Sequence, residues 1–320
     1  MIFQLGNCNG DFFEFSFGDK YSPKDGGSAG TAFCILMESL VQGFEIDQNL
    51  SVTGDITIDG KIREVGGIPF KLDGSIADGC QITLIPQGNE EQVIDFMIIE
   101  GLHALMNTQI FSVKTLDEAI EIAKINRDED LAQSIDAFST LAKRFSRVRV
   151  KERLKTDYEA QKMLIEIIKK HPHHLSSKFL IQAINGTIRR KLTLNSSIEQ
   201  ILNATGPFLY AVVDGFEVNN GIIYARQYSE ETYRTAIDKL NKASAIIDPQ
   251  VSRLSRTLYE MVYNWRKFDE SPNKTIERKY GRLLVELRDK AMNDLKTFSY
   301  DEQLLKDMIQ KTNKESRSHF

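Results

Sequence analysis

Pro23-Lys24-Asp25-Gly26-Gly27-Ser28-Ala29-Gly30 sets a serine behind a glycine pair and at the head of a segment with helical periodicity. From Ser28 to Gly43, the residues Ala29, Ala32, Phe33, Leu36, Met37, Leu40 and Val41 recur at helical spacing and Gly43 offers a C-terminal stop, so a mostly buried helix is expected there. Glycines permit the tight turn that exposes a side chain. A helix N-terminus carries unpaired N–H groups and positive potential, so a nucleophile on this turn would have an oxyanion site beside it. The plain alternative is a serine that only caps the helix. A Gly-rich loop before a helix also suits phosphate, but Gly-x-x-x-x-Gly-Lys-Ser/Thr occurs nowhere in the chain, so a P-loop is excluded.

Downstream, Ser51-Val-Thr-Gly-Asp-Ile-Thr-Ile, then Asp59-Gly60, then Lys-Ile-Arg-Glu-Val predicts a hairpin over 51–65, because Asp-Gly between alternating segments is a strong turn signal. Gly66-Gly67-Ile68-Pro69-Phe70-Lys71-Leu72 follows, placing Lys71 among apolar neighbours. A lysine serves as general base only when neutral, which needs burial or nearby dipoles to lower its pKa from about 10.4. Taken alone, a lysine at a helix start reads as a solvated surface residue. Gln81-Ile-Thr-Leu-Ile-Pro86 predicts a short strand, and Thr115 with Glu118 a capping box opening a helix over 116–125.

Taken in order, Pro-Lys-Asp-Gly-Gly-Ser-Ala-Gly, Val-Thr-Gly-Asp-Ile-Thr and Val-Gly-Gly-Ile-Pro-Phe-Lys resemble the Lon family of Ser–Lys endopeptidases. The family's serine motif is close to Pro-Lys-Asp-Gly-Pro-Ser-Ala-Gly, from which Gly27 departs in place of proline. Its lysine follows a Gly-Gly pair by four positions, as Lys71 follows Gly67, and the separation of 43 between Ser28 and Lys71 is the family's. The resemblance continues through Ile82-Thr-Leu-Ile-Pro and Asn89-Glu90 to Val113–Ala123, and covers about residues 22–125. It implies Ser28 as nucleophile, Lys71 as general base, Thr53 as the threonine that helps hold the lysine, and Asp25 as a residue shaping the serine loop. It also implies a hexameric ring and no cofactor in this chain, with ATP entering only through an ATPase partner or a further module. No histidine is required, and no metal site is expected: His171, His173 and His174 around Pro172 read as a helix end.

The chain departs from the family in two ways. Full members carry an ATPase module before the protease domain, which nothing here resembles. Their domain also has a much longer stretch before the serine motif, including strands that help form the substrate groove, whereas 27 residues precede Ser28 here. Phe12-Phe13-Glu14-Phe15-Ser16-Phe17 would be the strand leading to the serine loop, without the histidines common there. Three explanations are open: a product lacking its upstream part, a compact variant whose helical part supplies missing walls, or a Lon-like fold kept for binding.

Beyond about residue 128 the text changes to long helical phrases. In 151–170 Leu154, Tyr158, Ile165 and Ile168 form a stripe, Ser196 with Glu199 reads as a capping box, and further stripes run through 229–246, 250–267, 274–296 and 300–313, giving six or seven helices. A hairpin is expected within 208–227, around Asn219-Asn220-Gly221. No fixed period links the helices, which leaves a solenoid open. Charge breaks at the same point: residues 1–128 hold 8 of the 41 Lys and Arg and 20 of the 45 Asp and Glu, a balance of −12 against +8 in the remainder.

The 320 residues, with 7 Pro, 41% apolar and 27% charged, are ordinary for two globular domains and exclude general disorder. Apolar runs are too short for a membrane span, and three cysteines without Cys-x-x-Cys spacing suit a cytoplasmic protein with reduced thiols. The expected architecture is an α+β Lon-protease-like domain at 1–126, lacking its N-terminal portion, followed by an all-α helical domain at 129–320 for interaction or assembly. The functional expectation is a serine-type endopeptidase acting on protein or peptide substrates. The alternative is a non-catalytic Lon-fold scaffold whose basic helical part binds partners, with nucleic-acid binding a weaker third option because its cations are interspersed with acids.

Overall fold

A computed structural model of the chain describes residues 2–6, 12–16, 27–145, 149–219, 222–271, 274–300 and 306. β1 (Ile2–Gly6) and β2 (Phe12–Ser16) pair antiparallel. A 3-10 turn, Gly27–Ala29, leads into α1 (Gly30–Gln42), which ends at Gly43 with φ 72, a left-handed stop that suits glycine. The expectation of a mostly buried helix is corrected: only Thr31 and Ile35 of α1 are buried, and Leu40 and Val41 are 37% and 71% exposed. Most of its other residues are half-buried and exposure is concentrated in the last turn, which periodicity alone does not distinguish.

β3 (Leu50–Val52), β4 (Asp55–Ile56) and β5 (Ile62–Arg63) occupy the region read as one hairpin. Only β4 and β5 pair antiparallel, around a five-residue loop in which Gly60 adopts φ 75. β3 instead pairs in parallel with β6 (Ile82–Pro86), because the chain turns at Gly54, where a Cβ would lie 2.7 Å from Ile62 and 2.8 Å from Thr31 Oγ1. α2 (Ile68–Ala77) connects β5 to β6. α3 (Glu90–Glu100) then connects β6 to β7 (Gln109–Val113), and α4 (Leu116–Ala123) follows. Thr115 caps α4 as expected, while Glu118 reaches back to the Lys114 N–H.

The sheet order is β3-β6-β7, all parallel, and β6 and β7 are buried at every position, as strands covered on both faces must be. Ile82, Leu84, Phe111 and Val113 pack in one cluster with Ile35, Ala119 and Ala123, while Ile85 and Ile110 pack in another with Leu72, Val93 and Phe96. Antiparallel hairpins and a parallel layer thus coexist, within the α+β class by content but with crossovers of α/β type.

Nine α-helices follow among the described residues, against the six or seven expected: α5 (Glu129–Phe145), α6 (Val150–Thr156), α7 (Tyr158–Lys170), α8 (Leu175–Ile184), α9 (Leu194–Thr205), α10 (Leu209–Asp214), α11 (Glu230–Ser244), α12 (Ser252–Asp269) and α13 (Lys274–Thr297). The 151–170 stripe is corrected, since the helix breaks at Asp157, whose side chain caps α7; burial falls on Leu154, Ala160, Leu164 and Ile167, with Tyr158 79% exposed. Thr193, not Ser196, caps α9. The hairpin is shorter than read, β8 (Glu217–Asn219) with β9 (Ile222–Tyr224), because 209–214 is helical; Asn220 and Gly221 lie outside the described residues. The stripe at 300–313 also lies outside them, apart from Tyr300 and a helical Lys306.

Packing divides the chain elsewhere than charge does. Phe138, Phe145, Leu154, Leu164 and Phe179 share one cluster with Leu72, Val93 and Phe96, so the core runs across residue 128. Beyond β7 lies the segment 173–176, where the Ser112 N–H donates to the His173 carbonyl (3.0 Å) and the Ile110 N–H to Ser176 Oγ (2.9 Å). The helical part thereby covers a sheet edge. His174 caps α8 through Nδ1 and lies buried against the Phe111 and Phe138 rings, so the histidine segment ends one helix, starts the next and seals the seam. A second core surrounds Trp265 and draws on α9 to α13. It is tied to α3 by the fully buried Asp95, which accepts from the Thr193 N–H (2.9 Å), Thr193 Oγ1 (2.7 Å), Ser196 Oγ (2.8 Å) and the Arg189 guanidinium (2.7 Å).

Candidate active site

Ser28 is half-buried on the 3-10 turn before α1. Its carbonyl accepts from the Gly54 N–H at 2.9 Å and from Thr53 Oγ1 at 3.2 Å. The Gly54 carbonyl in turn accepts from the Thr31 N–H and Thr31 Oγ1, both at 3.0 Å. Four bonds thus fix the serine turn to the chain leaving β3. The approach is close: at Gly27 a Cβ would fall 2.3 Å from Asp55 Oδ1, so that side chain would have to move, and at Gly30 one would fall 3.2 Å from Ile56. The departure at Gly27 from the family's proline thus has a local counterpart, since the Asp55 carboxylate, paired with Arg63 at 2.8 Å, occupies the space a ring would need.

Lys71 lies half-buried in the first turn of α2, its N–H bonded to the Gly67 carbonyl at 3.1 Å. Gly67 starts the helix at φ 71, a conformation glycine adopts without the penalty other residues carry. The preceding strand end is clamped by Asn89, 1% exposed, whose side-chain amide pairs with both the N–H and the carbonyl of Val65 at 3.0 Å. Lower down, Ser75 Oγ meets Thr83 Oγ1 at 2.6 Å and ties α2 to β6.

These bonds place both segments at one end of the sheet. Thr53 follows β3 directly and its N–H donates to the Leu84 carbonyl, while Asn89 follows β6 and holds the lead-in to α2. The Ser28 turn and the first turn of α2 therefore both lie at the C-terminal ends of parallel strands, where open sheets of this kind hold their ligands. The geometry brings Ser28 and Thr53 together and sets Gly27 against Asp55. Asp25 lies outside the described residues. Sequence reading missed the parts played by Thr31, Gly54 and Asp55; Gly54 within Val-Thr-Gly-Asp was the available signal.

Two other groups near or within the sheet are unsuited to the chemistry. Burial, with Glu38 assisting, pushes the Cys34 thiol up, which disfavours the reactive thiolate. Burial lowers His174 from 6.5 to about 3, so it stays neutral within the seam. Among the described residues no group of three or more His, Cys, Asp or Glu side chains could hold a metal ion, and no helix is long and apolar enough to cross a membrane.

Comparison with known families concerns the first part of the chain. The family described as Lon protease (S16) C-terminal proteolytic domain matches residues 17–126. The chain is 33% identical over 125 residues to a Lon protease of Vibrio parahaemolyticus, covering 38% of this chain and 15% of that protein. It is 36% identical over 107 residues to one of Buchnera aphidicola subsp. Schizaphis graminum, covering 33% and 13%, and 28% identical over 149 residues to one of Neorickettsia sennetsu, covering 42% and 17%. The chain thus spans about a sixth of the length of these relatives. Residues 17–126 match the Lon C-terminal proteolytic domain, and Ser28, Thr53 and Lys71 all fall inside the matched stretch.

Proposed function

We propose that the chain is a serine-type endopeptidase in which Ser28 and Lys71 form a catalytic dyad acting on protein substrates. The observation that carries this reading is that the serine turn, bonded to the Thr53–Gly54 segment, and the lead-in to α2, held by Asn89, lie at the same C-terminal end of the parallel strands, within the family match. Lys71, neutral, takes the Ser28 hydroxyl proton as Oγ attacks the scissile carbonyl. The oxyanion of the tetrahedral intermediate faces backbone N–H groups of the turn at the head of α1, where one donor contributes roughly 3–4 kcal/mol. Lys71 then gives its proton to the leaving amine, and water hydrolyses the acyl-enzyme with Lys71 again as base. Thr53 acts as a positioning residue, because its hydroxyl holds the serine turn.

The chemistry draws on no cofactor, and ATP-driven unfolding would come from a separate ATPase. A hexameric ring is the assembly that the resemblance implies. A cytoplasmic location belongs to the same proposal. The test is cleavage of an unfolded protein substrate by the purified chain. Ser28→Ala and Lys71→Ala should each lower the rate by about a thousandfold or more. A lysine base also requires the rate to fall as pH drops from about 9 to about 5, as Lys71 becomes protonated. Equal cleavage by wild type and both variants sinks the proposal in favour of the non-catalytic scaffold.

A further inference from the structure

We propose that the groove between α2 and α3 on one side and α9 and α11 on the other docks a substrate segment in which apolar side chains alternate with acidic ones. The proposal rests on the peptidase reading for its purpose, since it names what is delivered to that site. The groove has a volume of about 330 Å³. Phe70, Ile99, Ala204 and Ile246 supply apolar surface, while Lys239 and Lys242 stand on α11 beside it. Phe70 is 49% exposed although aromatic, as expected of a surface that takes a partner rather than one that closes the core.

The charge on the lining is of one sign. Two lysines and no Asp or Glu line the groove. Neither lysine forms an ion pair among the described residues, whereas Lys170 pairs with Asp130, Lys178 with Glu90 and Lys267 with Glu270. Lys239 and Lys242 are three apart on one helix and so share a face, which presents two ammonium groups along the same apolar strip. An apolar peptide with neighbouring carboxylates complements both features at once. The position adds direction: Phe70 directly precedes Lys71 on α2, so a segment seated on Phe70 lies next to the first turn of the helix that carries the proposed base. On this reading the helical part contributes one wall of a recruitment site whose other wall is the protease-like part.

The test uses the full chain with Ser28→Ala, so that bound peptide is not consumed. The probe is a short fluorescein-labelled peptide in which Leu and Phe alternate with Glu, read by fluorescence anisotropy against a companion with Lys in place of Glu. The Glu peptide should bind about tenfold or more tightly than its companion, with the preference shrinking as salt is raised. Lys239→Glu with Lys242→Glu, both exposed, should reverse the preference, and Phe70→Ala should weaken both peptides, with circular dichroism confirming the fold of each variant. Equal binding of the two peptides, or a preference that survives the charge reversal, overturns the proposal. So does equal displacement of the peptide by oligothymidylate, which marks a general polyanion surface, or release of a dimer on peptide binding, which marks a contact between copies. Cleavage by the Ser28 form is scored separately. Groove-dependent binding without Ser28-dependent cleavage defeats the peptidase reading alone, and cleavage indifferent to the groove variants defeats the docking proposal alone.

Discussion

The serine turn and the Trp265 core solve opposite problems with the same chain. Around Ser28 the backbone is fixed by hydrogen bonds at close approach, through Gly27, Gly30 and Gly54, and the Ser28 and Lys71 side chains stay half-buried. Around Trp265, completely buried, the structure is fixed by rings: Phe208, Phe216 and Tyr228 lie with centroids 5.3, 5.1 and 5.8 Å away, and the indole N–H donates to the Arg226 carbonyl at 3.1 Å. Burial raises the Tyr228 and Tyr233 phenols, and Tyr233 donates to Asp269, so both phenols stay neutral in this core. A site needs a backbone that stays put while its side chains remain reachable. A core needs its side chains out of water. The serine turn therefore carries the candidate chemistry, while the Trp265 cluster, like the two cores around the sheet, keeps its side chains out of water.

The largest effect is expected at Trp265. Trp265→Ala should destabilise the fold by about 4 kcal/mol through cavity formation, measured by denaturant unfolding, while Ser28→Ala should leave stability within about 0.5 kcal/mol. If Ser28→Ala unfolds the protein as readily, the division between site and core fails. Next comes the tie between the two regions. Asp95→Ala strands the Thr193 and Ser196 donors and the Arg189 charge, and a loss of about 3 kcal/mol is expected, together with a second unfolding transition as the Trp265 core loses its hold on α3.

His174 sharpens the comparison through pH. Its folded value of about 3 lies below the ordinary 6.5, so the unfolded chain binds the proton first. Stability from this group is full above pH 6.5 and declines as pH falls towards 3, and the decline should flatten in His174→Gln, read from thermal midpoints across that range. The smallest effect is expected at Asn89. Asn89→Ala removes the clamp on Val65 and should cost about 1–2 kcal/mol. It should also lower kcat more than it raises KM for cleavage, because it loosens the lead-in to Lys71 rather than the substrate surface; a change in KM alone counts against the positioning role.

The motif-bearing elements were legible because their signals are local. The helix at Ser28, the strand at Ile82–Pro86, the Thr115 cap and the hairpin turn at Gly60 each follow from a few adjacent residues. Errors arose where a partner distant in sequence decides. Val52 looked like a hairpin strand, yet β6 offered a parallel pairing and Gly54 allowed the turn away. Tyr158 fitted a stripe, yet the Asp157 cap begins a new helix with a different buried face. The charge break near residue 128 falls where the family match ends, at 126, while the core that holds both Phe96 and Phe138 runs across it.

By itself, the sequence determined which residues are candidates and in what order, because the motifs that hold Ser28, Thr53 and Lys71 resemble those of the Lon family. Only the tertiary structure decided that Thr53 holds the serine turn, that Asp55 fills the space beside Gly27, and that the helical part closes a sheet edge through His174 and α3 through Asp95. Turns are written in neighbouring residues, whereas a hydrogen bond between distant segments exists only once the burial of apolar surface has brought them together.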